Sequence, residues 1–295
     1  MAASPRLSRA EDVVLGVTGD LVEDVVVWLA EPLRHGTDAR ARVFRTPGGS
    51  GANVARFAAG LVPTRFLGCV GPDAPGDALV AQLAAAGVDV RVQRAGRTGT
   101  VVLLIDETGE RTMFPDRAAS ALLDDIPLAW LDGLDLLHVP AYSFEGGPTA
   151  ATVQTAVRQA RQRGILVSVD ASSTGMLTHY GVDAFRALLA DLAPDLLLAN
   201  AAEAALLGPA VSPRTTIVVK AGADPTVVHL PDGSSVEVPV PPVADVRDLT
   251  GAGDAFAAGF LASFVVRRDL ESACVAGHAS AARVLTSPGA TTDGP

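Results

Sequence analysis

Disulfide, zinc and membrane chemistry are all poorly provided for in this chain. Cysteine occurs twice in 295 residues, as Cys69 and Cys274, far apart and outside any CxxC pair, which argues against a disulfide framework or a zinc cluster. The five histidines, His35, His138, His179, His229 and His278, show no HExxH or HxH spacing, so none is assigned to a metal. Residues 1–11 are polar and contain no apolar h-region, so no signal peptide is read there. The longest apolar run, 255–266, is too short and too rich in Ala and Gly to cross a bilayer. Positive charge is also in deficit: 23 Lys and Arg against 33 Asp and Glu leave a net charge of −10. That balance argues against a nucleic-acid partner. It also means that an anionic ligand must be held by local donors rather than by the overall field. A cytoplasmic protein with no membrane contact is expected.

What is present is apolar and patterned. A hydrophobic content of 48% with 19% charged residues describes a compact globular chain, long enough to bury a sizeable core. Apolar, β-rich runs at 13–17, 64–70, 134–139, 166–170, 196–198 and 216–220 alternate with Ala- and Leu-rich helical patterns. The helical patterns fall at 51–61, 76–86, 148–163, 182–191, 201–207, 254–267 and 270–286. Near-continuous apolar strands between helices predict an α/β fold, a mostly parallel sheet covered on both faces in three layers. In such folds ligands bind at the carboxyl ends of the strands. Two segments break the alternation: 22–28 with 41–45, and 88–94 with 100–106 and 110–114, read as strands without helices between them. They predict a small antiparallel sheet, made from segments at about 22–47 and 88–116. This lid is inserted in a single domain spanning 12–290, behind a polar tail of 1–11.

Two glycine clusters carry the chemistry. Asp248-Leu249-Thr250-Gly251-Ala252-Gly253-Asp254 runs directly into an apolar helix. Small residues let the backbone approach an anion, and the N–H groups of a helix start point at it. A carboxylate beside such an anion hole is repulsive for binding alone. It makes sense where it must take a proton from a hydroxyl that attacks a phosphate. Asp254 is therefore read as a general base, with Gly251, Ala252 and Gly253 as donors to the transferring phosphoryl group. The second cluster, Pro47-Gly48-Gly49-Ser50-Gly51-Ala52-Asn53, opens an Ala-rich helix in the same way.

Together, in this order and with most of the chain between them, the clusters resemble the two signature regions of the ribokinase-like (PfkB) carbohydrate kinase family. The likeness runs from Gly19-Asp20 to Ser287-Pro288-Gly289-Ala290. It implies an ATP- and Mg²⁺-dependent kinase that phosphorylates a primary hydroxyl of a small sugar. By resemblance, Asp24 would accept hydrogen bonds from a sugar diol, and Gly49, Ser50 and Asn53 would line the same pocket. Tyr142 and either Arg111 or Arg117 are candidates to close it. Asn200 and Glu203 match the family's NxxE motif for Mg²⁺ and nucleotide phosphates, although Asn and Glu at this spacing also make a helix capping box. Lys220 and Gly222 stand where the family meets ATP, and Asp170 ends a strand at the ligand edge. Asp248 and Thr250 fall at a monovalent-cation site such as one for K⁺. Here Leu249 replaces the usual Thr of that motif and removes a hydroxyl. Ser50 replaces the lysine of typical ribokinases and Val22 their Asn, so ribose itself is not specified. A nucleoside kinase is the alternative. Aromatics are only 4% of the chain, and the few near the expected pocket edge (Tyr142, Phe144, Phe114) favour a sugar over a stacked base. A non-catalytic sugar or nucleotide sensor would have no use for an acid beside the anion hole. An exposed lid sheet suggests a homodimer through that surface.

Overall fold

The computed structural model describes residues 9–208 and 212–286, so positions 287–290 of the family likeness lie outside the described residues. In chain order the first elements are β1 (Leu15–Thr18), β2 (Val22–Leu29), β3 (Ala41–Gly48), α1 (Ser50–Ala59), β4 (Thr64–Val70), α2 (Ala74–Ala85) and β5 (Asp89–Arg94). They are followed by β6 (Gly99–Ile105), β7 (Arg111–Asp116), α3 (Leu128–Leu131), β8 (Leu136–Pro140), α4 (Gly147–Gln162), β9 (Leu166–Asp170), α5 (Thr174–Tyr180) and α6 (Val182–Leu192). The chain continues through β10 (Leu196–Asn200), α7 (Ala201–Leu207), β11 (Thr216–Ala221), β12 (Asp224–His229), β13 (Ser235–Val238), α8 (Ala252–Arg267) and α9 (Leu270–Leu285).

Among the described residues the main sheet has nine strands in the order β13-β12-β11-β10-β9-β8-β1-β4-β5. The seven strands from β11 to β5 pair in parallel, and β12 and β13 add an antiparallel edge. Period-two alternation sends successive side chains to opposite faces, and each face has its own core. Leu15, Val17, Phe66, Leu196 and Leu198 pack under α1, α2, α8 and α9, while Leu67, Leu137, Val167, Val169 and Leu197 pack under α4 to α7. Local chemistry starts several helices: the Asp73 side chain accepts from Gly76 N at 2.9 Å ahead of α2, and Asp269 accepts from Ser272 N at 2.8 Å ahead of α9, both standard N-caps.

The second sheet runs β3-β2-β6-β7 and differs from the sequence expectation in two ways. Residues 88–94 do not belong to it; β5 pairs in parallel with β4 in the main sheet. The reason is that α2 stands between β4 and β5, and a strand–helix–strand unit places its second strand parallel to the first. Nor is the lid purely antiparallel. β2 pairs with β3 and β6 with β7 antiparallel, but β2 and β6 run parallel. The chain leaves the lid after β3 and re-enters at β6 only after passing through the main sheet. The short α3 and α5 and the edge strands β12 and β13 have no counterpart in the sequence reading, and α8 begins at Ala252, two residues ahead of the expected start.

Candidate active site

The chemistry-bearing side chains converge at the carboxyl edge of the main sheet. Asp170 ends β9, Asn200 ends β10 and Lys220 lies opposite Asn200 on β11. Against this edge come the N-termini of α1 and α8, one from each glycine cluster. Gly251 sits at the N-cap of α8 with φ of 75°, a left-handed conformation that glycine adopts without steric cost. Ala252 N bonds to Leu249 O and Ala255 N to Gly251 O. The intervening N–H groups of Gly253 and Asp254 have no preceding turn to accept from them, so they remain available to an anion.

Asp254 stands among these donors, half-buried. Ser50 Oγ donates to its Oδ1 at 2.7 Å and Asn53 Nδ2 to its Oδ2 at 3.0 Å. The two glycine clusters are thus tied together through the candidate base itself. Burial pushes its pKa up to about 6, against the two hydrogen bonds that lower it; Asp170 adds to the rise and Lys220 offsets it. Lys220 Nζ is paired with Asp170 Oδ2 at 2.8 Å and lies 5.9 Å from the centroid of the Phe256 ring. Burial works against the lysine charge, but the carboxylates of Asp170, Glu203 and Asp254 hold its pKa above the ordinary value.

Asn200 and Glu203 form the capping box: Glu203 N donates to Asn200 Oδ1 at 2.9 Å, Asn200 N to Glu203 Oε2 at 2.8 Å, and Asn200 Nδ2 to Glu203 Oε1 at 2.6 Å. Glu203 is also buried in the wall of the cavity described below, where burial raises its pKa. Its oxygens each accept one bond and keep further lone pairs. Mg²⁺ retains several waters and takes few carboxylates when phosphates are present. Asp170 and Glu203 therefore fit a water-mediated Mg²⁺ next to nucleotide phosphates, rather than a protein cage. Among the described residues no group of three or more His, Cys, Asp or Glu comes together as a metal cluster.

On the lid side, Asp24 projects from β2 with its pKa raised to about 7, first by burial and then by the charge of Asp254. Gly48 faces it across β3, and a Cβ there would lie 2.1 Å from Asp24 Oδ1; a Cβ at Gly49 would lie 2.2 Å from the Asp20 carbonyl oxygen. Gly48 leaves room for the Asp24 carboxylate, and Gly49 for the close approach of the Asp20 backbone. Arg117 is held by Asp20 through two 2.8 Å bonds, Nε to Oδ2 and Nη2 to Oδ1. Tyr142, in the turn after β8, is half-buried, and burial raises its pKa. Phe144 is not at the pocket: it is 1% exposed and packs on Phe185 in the core. Phe114 also misses it, lying three residues beyond Arg111 on β7 and therefore on the opposite face of the lid. Arg111 reaches out of the lid to Asp248 and Thr250 in the loop before α8.

A cavity of about 780 Å³ opens beside Asp254 and is lined at its polar end by Ser50, Asp170, Asn200, Glu203, Lys220 and Gly222. Its other arm is apolar, with Val240, Pro241, Pro242, Val243, Ala281 and Leu285 among its walls. That division suits a nucleotide, phosphates at one end and base at the other. His278 on α9 lines the same arm. Its Nε2 meets Thr226 Oγ1 at 2.8 Å while its buried Nδ1 has no partner, and burial lowers its pKa. Sequence reasoning missed His278, which belongs to no motif. It also passed over a simpler signal: Lys220 is the one lysine among 295 residues.

A sheet-edge anion hole with an adjacent carboxylate, a cavity with polar and apolar walls, and a second carboxylate, Asp24, on the lid side define a phosphotransferase of the α/β class. Comparison with known proteins agrees. The model of the pfkB family carbohydrate kinases matches residues 19–295. An ATP-dependent ribose-1-phosphate kinase of Halopiger xanaduensis is 34% identical over 253 residues, covering 81% of this chain and 79% of the relative. A fructokinase of Klebsiella pneumoniae is 32% identical over 266 residues, covering 83% and 82%. In fold, a probable sugar kinase from Rhizobium etli superposes with a TM-score of 0.83 at 22% identity over 95% of this chain and 94% of that one. Adenosine kinase from Sinorhizobium meliloti gives 0.82 at 21% identity, over 95% of each chain. The chain belongs to the pfkB family of carbohydrate kinases, whose relatives act on sugars or nucleosides. Among the described residues no helix is long and apolar enough to cross a membrane.

Proposed function

We propose that the chain transfers the γ-phosphoryl group of ATP to a primary hydroxyl of a small sugar, with Asp254 as general base. The observation that carries this reading is the Asp254 carboxyl, fixed by Ser50 and Asn53 beside the first free N–H groups of α8 with a pKa of about 6. Such a group is ionised at neutral pH yet basic enough to accept a proton. The sugar occupies the chamber between lid and α1, its adjacent hydroxyls donating to Asp24 and its primary hydroxyl donating to Asp254. As the sugar oxygen attacks, its proton passes to Asp254, the new O–P bond forms and the bond from the γ-phosphorus to the ADP oxygen breaks. The N–H groups at Gly253 and Asp254 stabilise charge on the transferring group, and Lys220 turns its charge from Asp170 to the phosphates. Mg²⁺, held through water by Asp170 and Glu203, would neutralise the phosphate oxygens and orient them.

A sugar is favoured over a nucleoside. Of the three aromatic side chains expected near the pocket, Phe144 is in the core and Phe114 is on the far lid face, which leaves Tyr142. The lid also offers a surface for a second copy, since Val43 and Phe114 are each more than half exposed on the face away from Asp24. A homodimer through the lid is expected by light scattering. The test of function is ADP release from Mg-ATP across ribose, ribose 1-phosphate, fructose, sugar acids and adenosine. A sugar-dependent signal that Asp254→Asn abolishes supports the proposal. Turnover of adenosine alone would replace the sugar by a nucleoside, and full turnover by Asp254→Asn would refute the role of the base.

A further inference from the structure

The loop that precedes the anion hole carries Asp248, an additional negative charge close to where phosphates must dock. The resemblance implies a monovalent cation there, yet Asp248 Oδ1 and Thr250 Oγ1 are already engaged. Asp248 Oδ1 accepts from Thr250 N at 2.8 Å and from Thr250 Oγ1 at 2.7 Å. The Arg111 guanidinium adds bonds to the same Asp248 oxygen and to Thr250 Oγ1. An oxygen accepting three donors has no room left for an alkali ion, and Leu249, 71% exposed, offers no hydroxyl in compensation. Asp248 Oδ1 and Thr250 Oγ1, bridged by a guanidinium, therefore do not fit K⁺.

We infer that Arg111 takes the place of the monovalent cation, supplying from the lid the positive charge that the 248–251 loop requires. A guanidinium presents its donors in a fixed fork and remains charged at any working pH, so it can hold Asp248 and Thr250 together as an ion would. The difference lies in where the charge comes from. Arg111 belongs to β7, whereas Asp248 and Thr250 lead into α8. Charge compensation at the phosphate loop is therefore delivered when the lid is seated and withdrawn when it lifts. Arg111 is a positioning residue: it sets the loop whose N–H groups receive the phosphoryl group. This inference rests on the kinase reading above and deepens it.

The test compares KCl, NaCl and choline chloride at equal ionic strength, with two readouts: sugar-dependent ADP release and the thermal unfolding midpoint. The wild-type protein is expected to be indifferent to the cation in both. Arg111→Ala should lose about tenfold to a hundredfold in turnover, the range for losing a charge-assisted pair. It should regain activity with KCl or with low guanidinium chloride, but not with choline. Arg111→Lys should keep part of the activity without added cation. Specific activation or stabilisation of the wild type by K⁺ would overturn the inference. So would an Arg111→Ala protein that loses nothing, or one whose loss no cation restores, since the contact would then be merely structural. If no acceptor is phosphorylated at all, the kinase reading fails, while the unfolding midpoints still decide whether K⁺ binds.

Discussion

Asp254 should oppose folding, and Asp254→Asn separates that effect from its proposed part in catalysis. Its carboxyl pKa is raised from 3.8 to about 6. At 1.36 kcal/mol for each pH unit, that corresponds to about 3 kcal/mol, which partial solvent access reduces to about 1–2 kcal/mol. The sign follows from linkage. The folded state binds this proton more tightly than the unfolded chain does, so the wild type loses stability as pH rises from about 4 to about 6 and stays at the lower level above that. The Asn variant has no such loss. Its stability advantage should therefore grow across the same window and then level off, appearing near neutral pH as a rise of about 2–5 °C in melting temperature. Urea unfolding of both proteins at a series of pH values measures the difference, in which groups not coupled to Asp254 cancel to first order, while Asp24, whose pKa the Asp254 charge helps to raise to about 7, extends the rise of the difference in the same direction toward neutral pH. ADP release run in parallel should fall by about 10²–10⁴. Any constant offset from altered bonds to Ser50 and Asn53 would not change the slope. A difference in stability that is flat between pH 4 and 6 would refute the argument.

Two further substitutions probe the two sides of the site. Gly48→Ala puts a Cβ 2.1 Å from the present position of Asp24 Oδ1, so the carboxylate must move. The KM for the sugar should rise by about tenfold to a hundredfold, the range for a lost charge-assisted bond, with the KM for ATP little changed; an unaltered sugar KM would remove Asp24 from the binding site. His278→Ala removes part of the wall of the apolar arm together with the bond to Thr226 Oγ1, and ATP affinity measured by calorimetry should weaken by about fivefold, equivalent to about 1 kcal/mol. Unchanged ATP binding would mean that the base lies elsewhere.

Most of the central fold could be read from pattern, because buried parallel strands and their covering helices are long, apolar and regular. The lid could not be read as well. Which strands joined it depended on a connection, since the 76–86 helix makes β5 the return strand of a crossover and so draws it into the main sheet. A strand's own residues do not show this. β12 and β13 were missed for a related reason: short edge strands such as Ser235–Val238, buried only at its final residue, lack the apolar run that marks the centre. Within the candidate site, Asp254, the glycine loops and Asp24 stand out in the sequence as candidates because a backbone constraint or a motif surrounds each. Ser50 and Asn53 were expected to face the sugar, and their bonds to Asp254 depend on how α1 packs against α8, which no local spacing reveals.

Lys220 shows what composition can add where motifs are weak. Basic residues number 23, and 22 of them are arginine. Surface pairing does not require lysine, as the Arg–Asp pairs at Arg91, Arg158 and Arg163 show. A lysine kept in such a chain points to a position where arginine will not serve. At the end of β11 the cation must fit between Asp170 and the ring of Phe256 and, in the proposed reaction, face a phosphate from a confined wall. A compact ammonium can exchange one oxygen partner for another by rotating its stem, whereas a planar guanidinium would need both partners in its plane. Position 220 is thus constrained by the size and shape of the charge as well as by its sign, and Lys220→Arg should impair phosphoryl transfer even though the charge is conserved.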